Sequence, residues 1–530
     1  MTTILDLPDE IHLQIGAHLN NKAYYSLIRV CHSLYSSYMP CLWADVDLQH
    51  FKGNIIPVAV VHTNASRIEA TTYSANLTEE YYALTYPRLR TLRMMTFYTD
   101  ENRPHYLQVS PAQKIQFIRH HPFVRTLAYQ HRDTVPKEFW EVIGTEWTHL
   151  ETLHFSGVIN ADAMDAFWRV CDRVQDLRLM SVNLLPESVP ILSTLSFRRL
   201  QKLMVTKFNW RIPHRKWPLH LLKQIKRSPS LRYLAWNVSD IPFPFRLFQE
   251  TLVEEGCWPE LCALSIRTPT FIDQDWTTIL RTLPSRRLTE CGWLGGGTFG
   301  SLTYNCLREM YFGHLQELRV RRCNGVTSVM VQELLTKCIH LVHFTASYIY
   351  VRDIATAPKP WGCSRMENLA VYIVKDPEDE AAWEGRVFEQ ISKLRRLLVL
   401  NLKRYQVFNM GDDDDRVLPH SMETLDLRLG CSSIPRDSSN IGGDGARVGR
   451  RGNGNSCKGA DISCWSSLVQ LQEVSFDGDR QTIGMEEALW MTEHWRDLWC
   501  ICGGFGGVSG DDKDKLDGLF ADKVITYICK

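Results

Sequence analysis

The stretch LQELRVRRCNGVTSVMVQELLTKCIHL, residues 315–341, shows how the chain is built. Leu315, two variable residues, Leu318, one variable residue and Val320 place Leu318 and Val320 on one face of an extended strand. Cys323-Asn324 follows the strand, and Val326-Thr327 marks a bend. Leu334, Leu335 and Cys338 then recur at helical spacing. A strand and a helix that are each apolar on one side cannot cover themselves, so this unit needs neighbours of its own kind.

Neighbours occur on both sides. Upstream lie Leu89-Leu92-Met94, Val124-Leu127-Tyr129, Leu150-Leu153-Phe155, Val174-Leu177-Leu179, Leu200-Leu203-Val205, Leu231-Leu234-Trp236 and Leu261-Leu264-Ile266. Downstream lie Leu341-Phe344-Ala346, Met366-Leu369-Val371, Leu397-Leu400-Leu402, Met422-Leu425-Leu427 and Leu471-Val474-Phe476, with weaker copies at Leu288 and Leu498. Most copies are roughly 24 to 31 residues apart. Helix-patterned stretches lie between them, such as Met164, Phe167, Trp168, Cys171 and Trp383, Val387, Phe388, Ile391. The best copy resembles the cysteine-containing leucine-rich repeat, which implies an α/β solenoid of horseshoe form. Its Asn or Cys is mostly missing elsewhere, so the solenoid is degenerate.

The chain begins differently. Residues 5–48 read LDLPDEIHLQIGAHLNNKAYYSLIRVCHSLYSSYMPCLWADVDL. Pro8 stands where a helix would start, Asp9 and Glu10 fall in its first turn, and Ile11, Ile15 and Leu19 follow at four-residue steps. After Asn20-Asn21 come Leu27, Val30, Cys31 and Leu34, then Leu42-Trp43. A segment this short normally leans on other protein mass. Leu7, Pro8, Ile11, Ile15, Leu19, Leu27, Val30, Cys31, Leu42 and Trp43 fall where the F-box has its recurrent residues. The segment is therefore identified as resembling an F-box, with His32-Ser33-Leu34-Tyr35 and Tyr24-Tyr25 departing from the usual pattern. The resemblance implies that these ten residues dock a Skp-type adaptor of a cullin ubiquitin ligase.

The expected division is an F-box over 1–48, a connecting cap over 49–86 and the repeat solenoid over 87–530. Flexible insertions are expected at 437–458 and 503–518, where Gly, Ser, Asn and charge replace apolar residues. Sixty basic and sixty acidic residues cancel, which removes any global argument for nucleic acid or an anionic membrane. No apolar run reaches the roughly 18 residues of a membrane span. The sixteen cysteines follow a start without a secretory pattern, so reduced thiols in the cytoplasm or nucleus are expected.

Chemistry is hard to place. Gly295-x-Gly297-x-x-Gly300 matches a dinucleotide fingerprint but lacks the acidic partner about 20 residues on and the alternating parallel sheet. Cys500-x-Cys502 lacks the two-residue gap of a zinc knuckle, His120-His121 and His343 read as surface histidines, and Arg447, Arg450 and Arg451 read as solvated loop charge. No cofactor and no metal are expected.

Side chains alternate along strands, so the variable strand positions form a surface. Arg178, Lys202, Tyr233, Arg267, Arg319, Arg321, His343 and Tyr372 occupy it, with Asp426, Glu473 and Asp477 towards the far end. The expectation is a basic band that binds a protein substrate. The chain then reads as a non-catalytic substrate-recognition subunit of a Skp-cullin-F-box ligase. The alternative is an interaction scaffold that promotes no ubiquitin transfer.

Overall fold

The computed structural model describes residues 7–17, 19, 26–48, 56–74, 77–95, 110–182, 191, 194–206, 217–237, 245–253, 257–267, 271–283, 287–293, 298–321, 323, 325–375, 381–402, 423–424, 466–475, 485–502, 510–523 and 525–528. It divides into two compact units, Met1–Leu261 with Thr282–Ser285, and Cys262–Arg281 with Arg286–Lys530.

In the first unit two helices, α1 (Asp9–Ala17) and α2 (His32–Ala44), lead directly into a ladder of parallel strands. These are β1 (Asp45–Asp47), β2 (Ala70–Ser74), β3 (Thr91–Met95), β4 (Thr126–Val135), β5 (Thr152–Ile159), β6 (Asp176–Met180), β7 (Lys202–Thr206) and β8 (Tyr233–Asn237). Each pairs in parallel with the next in chain order. A helix between neighbours covers one face, as Lys137–Glu146 does between β4 and β5. The repeat residues carry the core: Leu92, Leu127, Leu153, Leu177, Leu203 and Leu234 are all fully buried. Burying each such side chain contributes about 1.5–3 kcal/mol before chain entropy is subtracted.

The second unit repeats the plan. Its strands are β9 (Ala263–Ile266), β10 (Glu290–Trp293), β11 (Glu317–Val320), β12 (His343–Tyr350), β13 (Asn368–Lys375), β14 (Val399–Asn401), β15 (Glu423–Thr424), β16 (Glu473–Ser475), β17 (Cys500–Cys502) and β18 (Thr526–Ile528). All pair in parallel with their sequence neighbour except around β15. Both units are leucine-rich-repeat arrays, and the weaker copies at Leu288 and Leu498 supply β10 and β17. Among the described residues no helix is long and apolar enough to cross a membrane.

One backbone device joins successive repeats. The carbonyl of the residue before many of the strands accepts two N–H groups from the next repeat. Glu69 O takes Arg90 N and Thr91 N at 2.7 and 3.0 Å, and Arg90 O takes Arg125 N and Thr126 N at 2.7 and 2.9 Å. In the second unit Thr289 O takes Gln316 N and Glu317 N at 2.7 and 2.9 Å. Side chains close the helix ends similarly. The indoles of Trp147 and Trp258 and the hydroxyl of Tyr311 donate to the carbonyls of Ile118, Ile225 and Leu280, near the end of the preceding repeat's helix.

The repeat of residues 315–341 folds as its sequence says. Cys323 is buried and its thiol donates to Trp293 O of the repeat before, while Thr327 caps the helix Ser328–Lys337 by accepting from Met330 N. Burial pushes the Cys323 thiol up to about 12, so it stays protonated and inert at neutral pH. Gly325 sits at φ +90°, and a Cβ there would lie 2.6 Å from Phe299 O. Gly325→Ala should therefore cost about 2 kcal/mol in denaturant unfolding, from left-handed strain plus displaced backbone. An unchanged midpoint would show that the turn can relax.

Three sequence expectations are corrected. The ladder starts at Asp45 rather than Pro87: Trp43-Val46-Leu48 and Ile68-Thr71-Tyr73 supply β1 and β2. Thr71 stands fully buried in a leucine slot because its hydroxyl donates to Val46 O at 3.1 Å. Of the copy at Met422-Leu425-Leu427, only Glu423 and Thr424 lie within the described residues. Glu423–Thr424 pairs antiparallel with Val374 and Lys375, and β14 pairs directly with β16. Within the expected loop 503–518, Gly510–Lys523 is a helix held by buried Leu516 and Phe520 at a four-residue step. Finally, His121 is buried, not superficial. The expected insertion at 437–458 lies outside the described residues.

Candidate functional site: protein-binding surfaces

The N-terminal helices pack on a small core of Leu34 and Tyr38. Ile15, Leu19, Leu27, Cys31 and Leu42, half of the expected docking residues, pack against that pair and are partly buried. The Tyr38 hydroxyl and His12 Nδ1 lie 3.1 Å apart across α1 and α2. Leu7 and Trp43 are half-buried, and Pro8 is exposed. Ile11, Val30 and Tyr35 keep 38%, 69% and 41% of their surface, and among the described residues of this segment they are the large apolar side chains left in water. The arrangement follows from spacing: Ile15 and Leu19 face α2, while Ile11 lies one turn before them at the solvated end of α1.

On the sheet face opposite the helices, register aligns the variable residues in columns. In the first unit one column runs Thr126, Thr152, Asp176, Lys202, Tyr233 and the next runs Ala128, His154, Arg178, Met204, Ala235. In the second unit they run Glu290, Glu317, His343, Asn368 and Gly292, Arg319, Thr345, Ala370. Lys202 and His343 are exposed, and Tyr233, Arg267 and Arg321 are half-buried.

Two arginines of the expected basic band are paired within their own strands. Arg178 pairs with Asp176 at 3.1 Å, and Arg319 pairs with Glu317. Both pairs lie two residues apart on one strand, where side chains share a face. Arg93 likewise makes a double hydrogen bond to Asp45 at 2.9 and 3.0 Å. Such half-exposed pairs add only about 0–1 kcal/mol to stability, but a ligand must displace the carboxylate to use the guanidinium. Partial burial and the neighbouring Arg178 hold His154 below the usual imidazole range. Tyr372 is buried, so it is no part of an accessible surface.

A basic cleft that the sequence reading missed lies at the strand entrances of the first unit. It encloses about 400 Å³ and is lined by Glu69, Pro87, Arg88, Arg90, Phe123, Arg125 and His149. Arg88, Phe123 and His149 precede the first leucine-type residue of three successive repeats, and Arg90 and Arg125 follow it. The backbone bond from Arg125 N to Arg90 O sets those two arginines side by side. Arg125 pairs with Glu151 at 3.6 Å, and Phe123 is 61% exposed. Guanidinium forks beside an exposed ring suit a carboxylate- or phosphate-bearing segment. The legible cue was the recurrence of these residues on either side of Leu89, Val124 and Leu150.

The glycine-rich segment has another role. Gly295 and Gly297 lie outside the described residues, but Gly300 begins the helix Ser301–Met310. There the carboxylate of Asp273, from the preceding repeat, accepts Gly300 N, Leu302 N and Thr303 N at 2.9, 2.9 and 3.0 Å. Asp273 thus occupies the helix N-terminus that a bound phosphate would need. Partial burial pushes its pKa up, but the Thr303 hydroxyl and the backbone N–H donors outweigh that and hold it below the usual carboxylate value.

No family model matches the chain, and no curated protein matches it. Among solved structures it is similar to LRR protein LIC12759 of Leptospira interrogans, at 13% identity and TM-score 0.30, over 89% of this chain and 98% of that one. It is also similar to a chain in the crystal structure of the Rad7 and Elc1 complex in yeast, at 12% identity and TM-score 0.42, over 77% of this chain and 94% of that one.

Proposed function

We propose that this chain is a non-catalytic substrate-recognition subunit of a Skp-cullin-F-box ubiquitin ligase, holding the adaptor through its N-terminal helices and a protein substrate through its repeats. The observation that carries the reading is that Ile11, Val30 and Tyr35 stay in water on a segment where Ile15, Leu19, Leu27, Cys31 and Leu42 pack on its own small core. Exposed large apolar side chains at the end of a repeat array are where a partner surface gains most. The direct passage from α2 into β1 fixes that end to the first unit's array, so a substrate held on that unit's repeats stays at a set distance from whatever binds the helices. Proximity of this kind makes an encounter effectively local.

The cleft of Arg88, Arg90, Arg125, His149 and Phe123 is the proposed place for an acidic or phosphorylated segment of the substrate. Replacing Ile11 and Val30 together by Ser should weaken binding to a Skp-type adaptor at least tenfold, the loss expected of two buried anchors. Far-ultraviolet circular dichroism and the melting midpoint should not move, because neither side chain belongs to the core. Unchanged adaptor affinity in the folded variant would leave an interaction scaffold as the better reading.

A further inference from the structure

We propose that Glu473, Cys500 and Cys502 form a metal site for a thiophilic divalent ion such as zinc. Among the described residues this is the one group of three metal-ligating side chains whose donor atoms all lie within 4.8 Å of one another. The two sulfurs are 3.5 Å apart. Two thiolates bound tetrahedrally to one zinc at 2.3 Å each are separated by about 3.8 Å, so the pair needs to open by only a few tenths of an ångström.

The spacing that argues against a knuckle argues for a site here, because the geometry is that of a strand. In β17 a two-residue step returns to the same face, so Cys500 and Cys502 point the same way while Ile501 between them is buried on the other side. Parallel register then sets Glu473 of β16 opposite Cys500 and Ser475 opposite Cys502. All three ligands stand on extended backbone held by neighbouring strands, which keeps them in place without a metal. Glu473 and Cys502 are half-buried and Cys500 is buried, so an ion would be shielded on one side and reachable from the other.

The donor set selects the ion. Two thiolates and one carboxylate suit zinc and cadmium and reject magnesium and calcium, which require oxygen ligands. Each thiol gives up its proton to solvent on binding, so affinity rises with pH. Three protein ligands leave a fourth position on the open sheet face, for water or for a donor from a bound protein.

The test uses the full chain, reduced and freed of metal with a chelator. Cadmium titration should give a thiolate charge-transfer band in the ultraviolet that saturates at one ion per chain and is displaced by zinc. Magnesium should give no response. Cys500→Ser with Cys502→Ser should abolish the band, and Glu473→Gln, which leaves every cysteine in place, should weaken binding at least tenfold with an unchanged melting curve. Zinc should raise the melting midpoint of the wild type and not that of the double variant. The proposal is overturned by absence of a stoichiometric band, by a band that persists in the double variant, or by Glu473→Gln binding as tightly as wild type.

Discussion

Lowering the pH from neutrality to about 4 should cost the N-terminal unit about 3 kcal/mol through one side chain, His121. Its imidazole is buried among Tyr86 and Phe117; Nε2 accepts Tyr86 N at 2.8 Å and Nδ1 donates to Phe117 O at 2.6 Å. That pattern fixes one neutral tautomer and leaves no room for a second ring proton. Burial lowers its pKa to about 4, with the Phe117 carbonyl opposing and His120 adding to the effect. The unfolded chain titrates near 6.5. Between those values the unfolded state binds the proton and the folded state does not, so stability falls as pH drops through that window. At about 1.4 kcal/mol per pKa unit the whole window amounts to about 3 kcal/mol. His121→Gln keeps an acceptor for Tyr86 N and removes the titration, so its stability should vary less between about pH 6.5 and 4. Equal slopes for wild type and variant in urea unfolding would sink this account.

Removing the Asp273 carboxylate should be nearly as costly. Asp273→Ala strips the acceptor from Gly300 N, Leu302 N and Thr303 N at once. Losing a single N-cap costs about 0.5–2 kcal/mol, and unpaired half-buried donors add to that, so about 2–3 kcal/mol is expected. The carboxylate is held below its ordinary pKa, so its contribution is complete above the unfolded value near 4 and fades as pH falls through the folded one. Asp273→Asn should lose less and respond less to acid. The variants also separate cap from ligand site: if Asp273→Ala leaves unfolding untouched, the helix start at Gly300 is not held from the preceding repeat.

Most of the array was legible because its code is apolar and local. Leu153, Leu177, Leu318 and Val474 could be assigned to inward strand positions from spacing alone, and all are buried. Failure came where another interaction filled a repeat slot. Thr71 reads as polar until the Val46 carbonyl beneath it is known, and Trp43-Val46-Leu48 spans a helix end that hides the strand. Spacing also does not say which strand is next in space: β14 pairs with β16, while Glu423–Thr424 pairs with β13.

Surface chemistry was less legible than the core. Arginine content suggested a band, but Asp176-x-Arg178 and Glu317-x-Arg319 pair within their own strands. The same two-residue rule, applied to charge as well as to leucine, would have shown both pairs and the shared face of Cys500 and Cys502. Conversely, the N-terminal apolar set looked uniform in sequence, and only the Leu34–Tyr38 core separates Ile15 and Leu42, which face inward, from Ile11 and Val30, which do not.

The doubly accepting carbonyls before many of the strands bear on how the chain is made. Where strands pair in chain order, a repeat closes on the edge left by the one before it, so the nascent polypeptide meets a finished template when the next strand leaves the ribosome. At about 5–20 residues per second, a repeat emerges in roughly one to five seconds, while helices and short loops form in microseconds. Translation, not pairing, then sets the pace, and a stalled ribosome would hold a shorter but already ordered array.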